Sequence, residues 1–320
     1  MKADSKIYVA GHNGLAGSAM LRNLNELGFK NIITKNHDEL DLIDIEATSN
    51  FFKTEKPEYV FLAAAKVGGI HANNTYPADY FFQNISIQTN VIHNSYLNDV
   101  KRLLFLGSSC IYPKDSKQPI KEEYLFSGPL EKTNSPFAVA KLSGIAMCSS
   151  YNRQYNTKYL GAMSTNLYGP GDNYDLENGH VMAALIRKFS EAKKNNATTV
   201  SLWGSGNPRR EFLYSDDLAK ACIFLMTLSN EKFDSLLQNN LGSKSYPIIN
   251  IGTGEDISIK DLSLLIAKIS GYKGKVFFDK TKPDGVLRKL LNVDMLHDLG
   301  WSSKTVISEG VEKVLKNFNA

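Results

Sequence analysis

The sequence predicts an α/β fold: a doubly wound parallel (Rossmann-type) sheet with a smaller, interleaved C-terminal substrate domain. Three observations carry that expectation. Short apolar runs alternate with amphipathic stretches through the first half of the chain. A glycine triplet, Gly11, Gly14 and Gly17, stands between the first such run and the first such stretch. Beyond residue 166 the strict alternation gives way to shorter runs separated by turn-forming residues.

Residues 6–10 read as the first strand. The helix that follows places Met20, Leu24 and Leu27 on one face and stops at Gly28. Residues 31–34, 59–64, 102–106 and 159–163 read as further strands, with helices over 45–54, 85–96 and 135–155. In the second half, 169–173 is a loop and 180–193 a helix. Residues 199–203 and 248–251 read as strands, and helices start at 216 and cover 257–269. The expected division is a dinucleotide-binding domain over 1–165, with returning segments near 211–253. Residues 166–210 and 254–320 would form the substrate-binding domain.

Composition narrows the function. Of 320 residues, 42% are hydrophobic and 22% charged, the balance of an ordinary globular protein. A net charge of +4 with no long basic block does not point to nucleic acid. No apolar run approaches the roughly 20 residues a membrane helix needs, and the N-terminus leads directly into a strand, so a cytoplasmic protein is expected. Cys110, Cys148 and Cys222 are far apart, with neither metal spacing nor a disulfide framework, so no metal site is expected.

Gly11, Gly14 and Gly17 have the spacing and the place of a pyrophosphate-binding turn. Glycines admit close approach of the backbone, and the following helix presents its N–H groups and positive dipole end. At the end of the second strand an acidic residue usually binds the ribose hydroxyl. Here Lys35 and His37 stand in that region, and their basic side chains suit a 2′-phosphate. NADP(H) is therefore the expected cofactor. Asp41 lies where the extended branch of such enzymes places an adenine contact.

Ser108 and Cys110 sit just past the end of the 103–106 run, and Phe137 and Lys141 are four apart on a helix and share its face. This arrangement resembles the catalytic set of the short-chain dehydrogenase/reductase superfamily. There the position of Phe137 is a tyrosine that protonates the carbonyl being reduced, and the lysine, at Lys141 here, lowers its pKa and also belongs to the cofactor site. A phenyl ring has no proton to give.

The resemblance is closer still to the GDP-L-fucose synthase family. It rests on GHNGLAGS at 11–18, AAAKVGGI at 63–70, GSSCIYPK at 107–114, YNRQY at 151–155, TNLYGP at 165–170, WGSG at 203–206, REFL at 210–213 and KPDG at 282–285. These cover nearly the whole chain in order. The resemblance implies NADPH-dependent reduction at C4 of a GDP-4-keto-6-deoxy-hexose, after epimerisation at C3 and C5, in nucleotide-sugar biosynthesis. It gives Ser108 and Lys141 to reduction and makes Cys110 and His180 the acid/base pair. Protons beside a ketone are acidified by delocalisation into an enolate, and a thiol and an imidazole titrate near enough to neutrality to exchange them. Read alone, Cys110 is a small apolar filler and His180 a helix-terminal surface residue. Asn166, Leu185, Lys188, Trp203 and Arg210 match substrate-binding positions. Lys188 and Ala183 depart from the family's usual arginine and proline, which leaves a GDP-4-keto heptose open.

Phe137 is compatible with an introduced change that stops turnover, with a natural member that epimerises or only binds, or with another proton donor. The resemblance also implies a homodimer built on helices 85–96 and 135–155. Ile87, Val91 and Tyr96 on the first, and Val139, Met147 and Tyr151 on the second, are the candidate contacts.

Overall fold

Alternation of side chains along each strand organises the main sheet. Strands β1 (Ile7–Ala10), β2 (Ile32–Ile33) and β3 (Tyr59–Leu62) are separated by helices α1 (Leu15–Glu26) and α2 (Ile45–Glu55). Asp44 caps α2, its carboxylate accepting from the Glu46 and Ala47 N–H groups. Helices α3 (Ile70–Thr75) and α4 (Pro77–Leu97) lead to β4 (Arg102–Ser108), and α5 (Ser135–Tyr155) to β5 (Tyr159–Ser164). The structure is a computed structural model and describes residues 1–176, 179–239, 246–282 and 284–318.

The second half contains β6 (Asn166–Tyr168), α6 (Val181–Lys194), β7 (Thr199–Trp203), β8 (Arg209–Arg210), β9 (Phe212–Tyr214), α7 (Ser215–Thr227) and α8 (Asn230–Asn239). Then come β10 (Ile248–Ile251), β11 (Ile257–Ser258), α9 (Ile259–Ser270), β12 (Lys275–Asp279), β13 (Arg288–Lys289), α10 (Asp294–Asp298) and α11 (Ile307–Phe318). The main sheet has the order β10-β5-β4-β3-β1-β2, and every pairing in it is parallel. The expected doubly wound sheet is present.

One face of this sheet buries Tyr8, Val60, Leu103 and Phe105 against Phe52 of α2, Val91 and Ile92 of α4, and Leu142 and Ile145 of α5. The other buries Ile7, Val9, Phe61 and Leu104 against Met20 and Leu24 of α1 and Leu218 and Cys222 of α7. A separate core joins α6, α9 and α11 through Leu185, Phe189, Leu262, Ile266 and Val314. The segment around α10 does not belong to it, although it falls within 254–320. Leu291 and Val293 pack in the first core and Leu296 in the second.

Several expected bounds shift for local reasons. α4 starts at Pro77, a residue suited to a first helical turn, rather than at 85. β4 extends through Ser108. His180 is the N-cap of α6 rather than its first residue. Over 257–269 the first two residues form β11, and the Ser258 hydroxyl then accepts from the Asp261 N–H to start α9. Val91 was expected on an outward face, but it has 0% exposure within the first core.

Candidate active site

The order of the main sheet reverses beside β1, and its glycine turn occupies that crevice. Gly11 has φ +84°, and a Cβ there would lie 2.6 Å from the Ala64 backbone. At Gly17 a Cβ would stand 2.0 Å from the Gly11 carbonyl oxygen. Gly14 is the N-cap of α1 and supplies no side-chain cap. The turn is thus closed by backbone packing, with the α1 N–H groups at its rim. This cradle fits a dinucleotide pyrophosphate.

The end of β2 also carries the expected basic groups. Asn13 Nδ2 donates to Asn36 Oδ1 at 2.8 Å and ties the glycine turn to this segment. Lys35 lies 3.8 Å from Glu39, and His37 lies 3.8 Å from Asp41. Nearby, Asn84 holds the loop after β3 by accepting from the Lys66 N–H and donating to its carbonyl.

β4 and α5 place the reactive groups. Gly144 lets α5 approach β4, since a Cβ there would meet Phe105 at 2.6 Å. Lys141, 4% exposed, donates from Nζ to the Leu106 carbonyl at 2.9 Å. Its Nζ lies 4.6 Å from the Phe105 ring centre and 6.0 Å from that of Phe137. Burial lowers the Lys141 pKa to about 8, with Cys110 acting in the opposite direction. Ser108 ends the strand, and its Oγ accepts from the Cys110 N–H at 3.4 Å. Cys110 lies in the one-turn 3₁₀ segment Ser109–Ile111, and its thiol is free and buried.

The loop after this turn is fastened from below. Tyr112 donates to Asn250 Oδ1 at 2.6 Å, and Asn250 Nδ2 donates to the carbonyls of Ile120 and Asn292. Ser108, Cys110, Phe137 and Lys141 therefore share one corner above β4. His180 is exposed, and no described hydrogen bond joins it to that corner. The protein around it still desolvates the imidazolium and lowers its pKa.

The expected substrate residues separate into two groups. Trp203 is 73% exposed, and Lys282 Nζ sits 5.6 Å from its ring centre. The Asp284 carboxylate accepts from the Ser205 N–H and hydroxyl at 2.8 and 2.6 Å. The WGSG and KPDG motifs thus form one wall; Pro283 of the latter lies outside the described residues. Arg210 is half-buried, and burial lowers its pKa. Asn166 donates to the Glu211 carbonyl at 2.9 Å, and Lys188 is half-buried. Leu185 is 3% exposed within the smaller core, so its side chain is a packing element rather than part of the site surface.

Two residues of this region escaped the sequence reading. Glu211 is fully buried and accepts from the N–H groups of Thr253, Gly254 and Leu291 at 2.7, 2.8 and 3.0 Å. Desolvation raises its pKa against those donors. Lys289 stands opposite Arg210 across the β8–β13 ladder and interacts electrostatically with Cys110. Glu211 lies within the REFL motif, which could have pointed to it, but nothing local in the sequence separates Lys289 from a surface lysine.

A family model described as the NAD dependent epimerase/dehydratase family matches residues 7–251. The chain is 50% identical over 313 residues to GDP-L-fucose synthase of Escherichia coli (strain K12), covering 98% of this chain and 96% of that protein. Among solved structures, a GDP-6-OMe-4-keto-L-xylo-heptose reductase from C. jejuni is 40% identical with a TM-score of 0.91, covering 100% and 99% of the two chains. A GDP-mannoheptose C4 reductase from Campylobacter jejuni with NADP bound is 41% identical with a TM-score of 0.90, covering all of both chains.

Proposed function

Because the chain belongs to the NAD dependent epimerase/dehydratase family, and within it to the GDP-L-fucose synthase family, we propose that it acts on a GDP-4-keto sugar of six or seven carbons. It is an NADP-dependent epimerase/reductase of GDP-sugars. The observation that carries the finer reading is the corner above β4. Ser108 caps the turn bearing Cys110, while Lys141 enters beneath it from α5.

In this reading the exposed Trp203 indole offers a flat face to the guanine, and Arg210 holds the diphosphate through its forked donors. Cys110 and His180 exchange protons at the carbons beside the ketone. One removes a proton as the enolate forms, and the other returns a proton to the opposite face, so configuration inverts without net change in protonation. NADPH, when bound in the glycine cradle, supplies the hydride for C4. Ser108 and Lys141 steady the ketone oxygen, but Phe137 has no proton to deliver to it. Reduction is therefore the weakened step, which favours epimerisation without reduction as the second reading.

The 1–165 and 211–253 segments form the cofactor side in this reading, and 166–210 with much of 254–320 the substrate side. The protein acts in the cytoplasm as a homodimer. Incubation with GDP-4-keto sugars in D₂O separates the chemical steps. Deuterium should enter the sugar, and Cys110→Ser and His180→Gln should each block this while leaving NADP(H) bound. Phe137→Tyr should raise NADPH oxidation about 10²–10⁴-fold. Undiminished exchange in both single variants would remove the acid/base assignment. Background oxidation by Phe137→Tyr with every such sugar would remove the reductase assignment.

A further inference from the structure

The loop after β3 stands between the two halves of the site. In the sheet, β3 lies between β1, which carries the glycine turn, and β4, which leads to Ser108 and Cys110. Lys35 and His37 follow β2, on the far side of β1. A dinucleotide with its 2′-phosphate beside β2 and its nicotinamide beside β4 must therefore cross the end of β3. From β2 to β4 is three strand spacings, roughly 14 Å, which an extended dinucleotide can bridge. The start of the loop touches the glycine turn, since a Cβ on Gly11 would lie 2.6 Å from the Ala64 backbone. Its end leads into α3, which packs against the turn Lys132–Asn134 ahead of α5.

Two buried asparagines fix the backbone of this loop. Asn84, 2% exposed, accepts from the Lys66 N–H at 3.1 Å and donates to the Lys66 carbonyl at 3.0 Å. Asn73, 6% exposed, donates to the carbonyls of Gly68 and Gly69 at 2.8 and 3.0 Å. Gly68 is seated against Tyr80 of α4, where a Cβ would lie 2.2 Å from the phenol oxygen. Val67 stands between these fastenings and is 61% exposed. An exposed apolar residue is by itself ordinary. Here its backbone is fastened on both sides, its branched side chain has little freedom of its own, and its place in the sheet is on the path of the cofactor.

We infer that Val67 is a cofactor-positioning residue whose isopropyl group packs against one face of the nicotinamide ring and leaves the other face to the sugar. This rests on the reading that the corner of Ser108 and Lys141 is the reductive end of the site. Contact with a stiff apolar group removes ring surface from water and limits turning of the ring about its bond to the ribose.

The test is calorimetric titration of the full chain with NADPH and with 2′-phospho-ADP-ribose, which lacks the nicotinamide. The starting protein should bind NADPH more tightly. Val67→Ala removes two carbon atoms and should weaken NADPH about threefold to tenfold, while leaving 2′-phospho-ADP-ribose within about twofold. Val67→Ile should retain the preference. Val67→Thr, of the same shape but polar, serves if the alanine variant does not fold. Equal weakening of the two ligands would assign Val67 to the shape of the glycine turn and overturn the inference. Unchanged NADPH affinity in the alanine variant would also overturn it and would leave the GDP-sugar reading intact. Equal affinity of the starting protein for the two ligands would overturn the inference together with the placement of the reductive end.

Discussion

Lys141 shows how one side chain can be costly to the fold and useful to the site. Its ammonium is buried with a single carbonyl acceptor, and its pKa falls to about 8. The unfolded chain binds the extra proton between about 8 and the ordinary value of 10.5, so Lys141 contributes more to stability as pH rises through that window and less as it falls. Lys141→Met should therefore leave Tm at pH 7 unchanged or raise it, with the difference from the starting protein closing as pH rises from 8 to 10.5. A fall of several degrees at pH 7 would show that its hydrogen bond outweighs its desolvation. In a Phe137→Tyr background the same change should abolish reduction, because the phenol then loses its neighbouring cation. At position 137 itself, the ring is half-buried with Lys141 Nζ 6.0 Å from its centre, so an added hydroxyl is expected to cost little stability.

At the scale of elements, the glycine turn separates a packing role from a binding role. Gly17→Ala would drive a methyl group to 2.0 Å from the Gly11 carbonyl and should cost about 1–3 kcal/mol, read as a lowered denaturation midpoint. Gly14→Ala meets the same carbonyl only at 3.5 Å and should cost less than about 1 kcal/mol. Neutral replacement of Lys35 and His37 together should weaken NADP(H) selectively over NAD(H); equal affinity in the starting protein would refute the assignment. The long alternating elements were legible in the sequence because each satisfies its own periodicity, as α6 and β7 do. The triplets β6 and β9 were not, since each is a strand only because it pairs with the other. β12 escaped for the same reason, gaining its ladder from β7 far upstream. Within the site, Ser108, Cys110 and Lys141 were legible by motif. Lys289 was not, because its significance comes from register with Arg210.

For the whole molecule, the outer surfaces of α4 and α5 support the proposed homodimer. Phe82, Leu97, Val139 and Tyr155 are exposed there. Beside them Phe126, Pro129, Leu130 and Val139 line a groove of about 530 Å³. Of the contacts expected from the sequence, Val139 is exposed, Ile87, Tyr96, Met147 and Tyr151 are half-buried, and Val91 belongs to the core. Sedimentation at micromolar concentration should give about twice the 35.6 kDa chain mass, with an interface above about 1,000 Å². Val139→Glu should shift it toward monomer, and a monomer in the starting protein would refute the assembly.

The position of β10 also has a consequence for how the chain is made. This strand closes the edge of β5, yet it emerges from the ribosome more than eighty residues later. Until then the nascent sheet presents the β5 edge without its native partner. Glu211, made earlier, also waits for the N–H groups of Thr253, Gly254 and Leu291. Folding of the first half during synthesis therefore leaves an adhesive border that only late-arriving chain can cover. A fragment ending at residue 165 should aggregate on release, whereas one ending at residue 301 should be more readily held in solution. Pausing of translation between these points should favour chaperone capture.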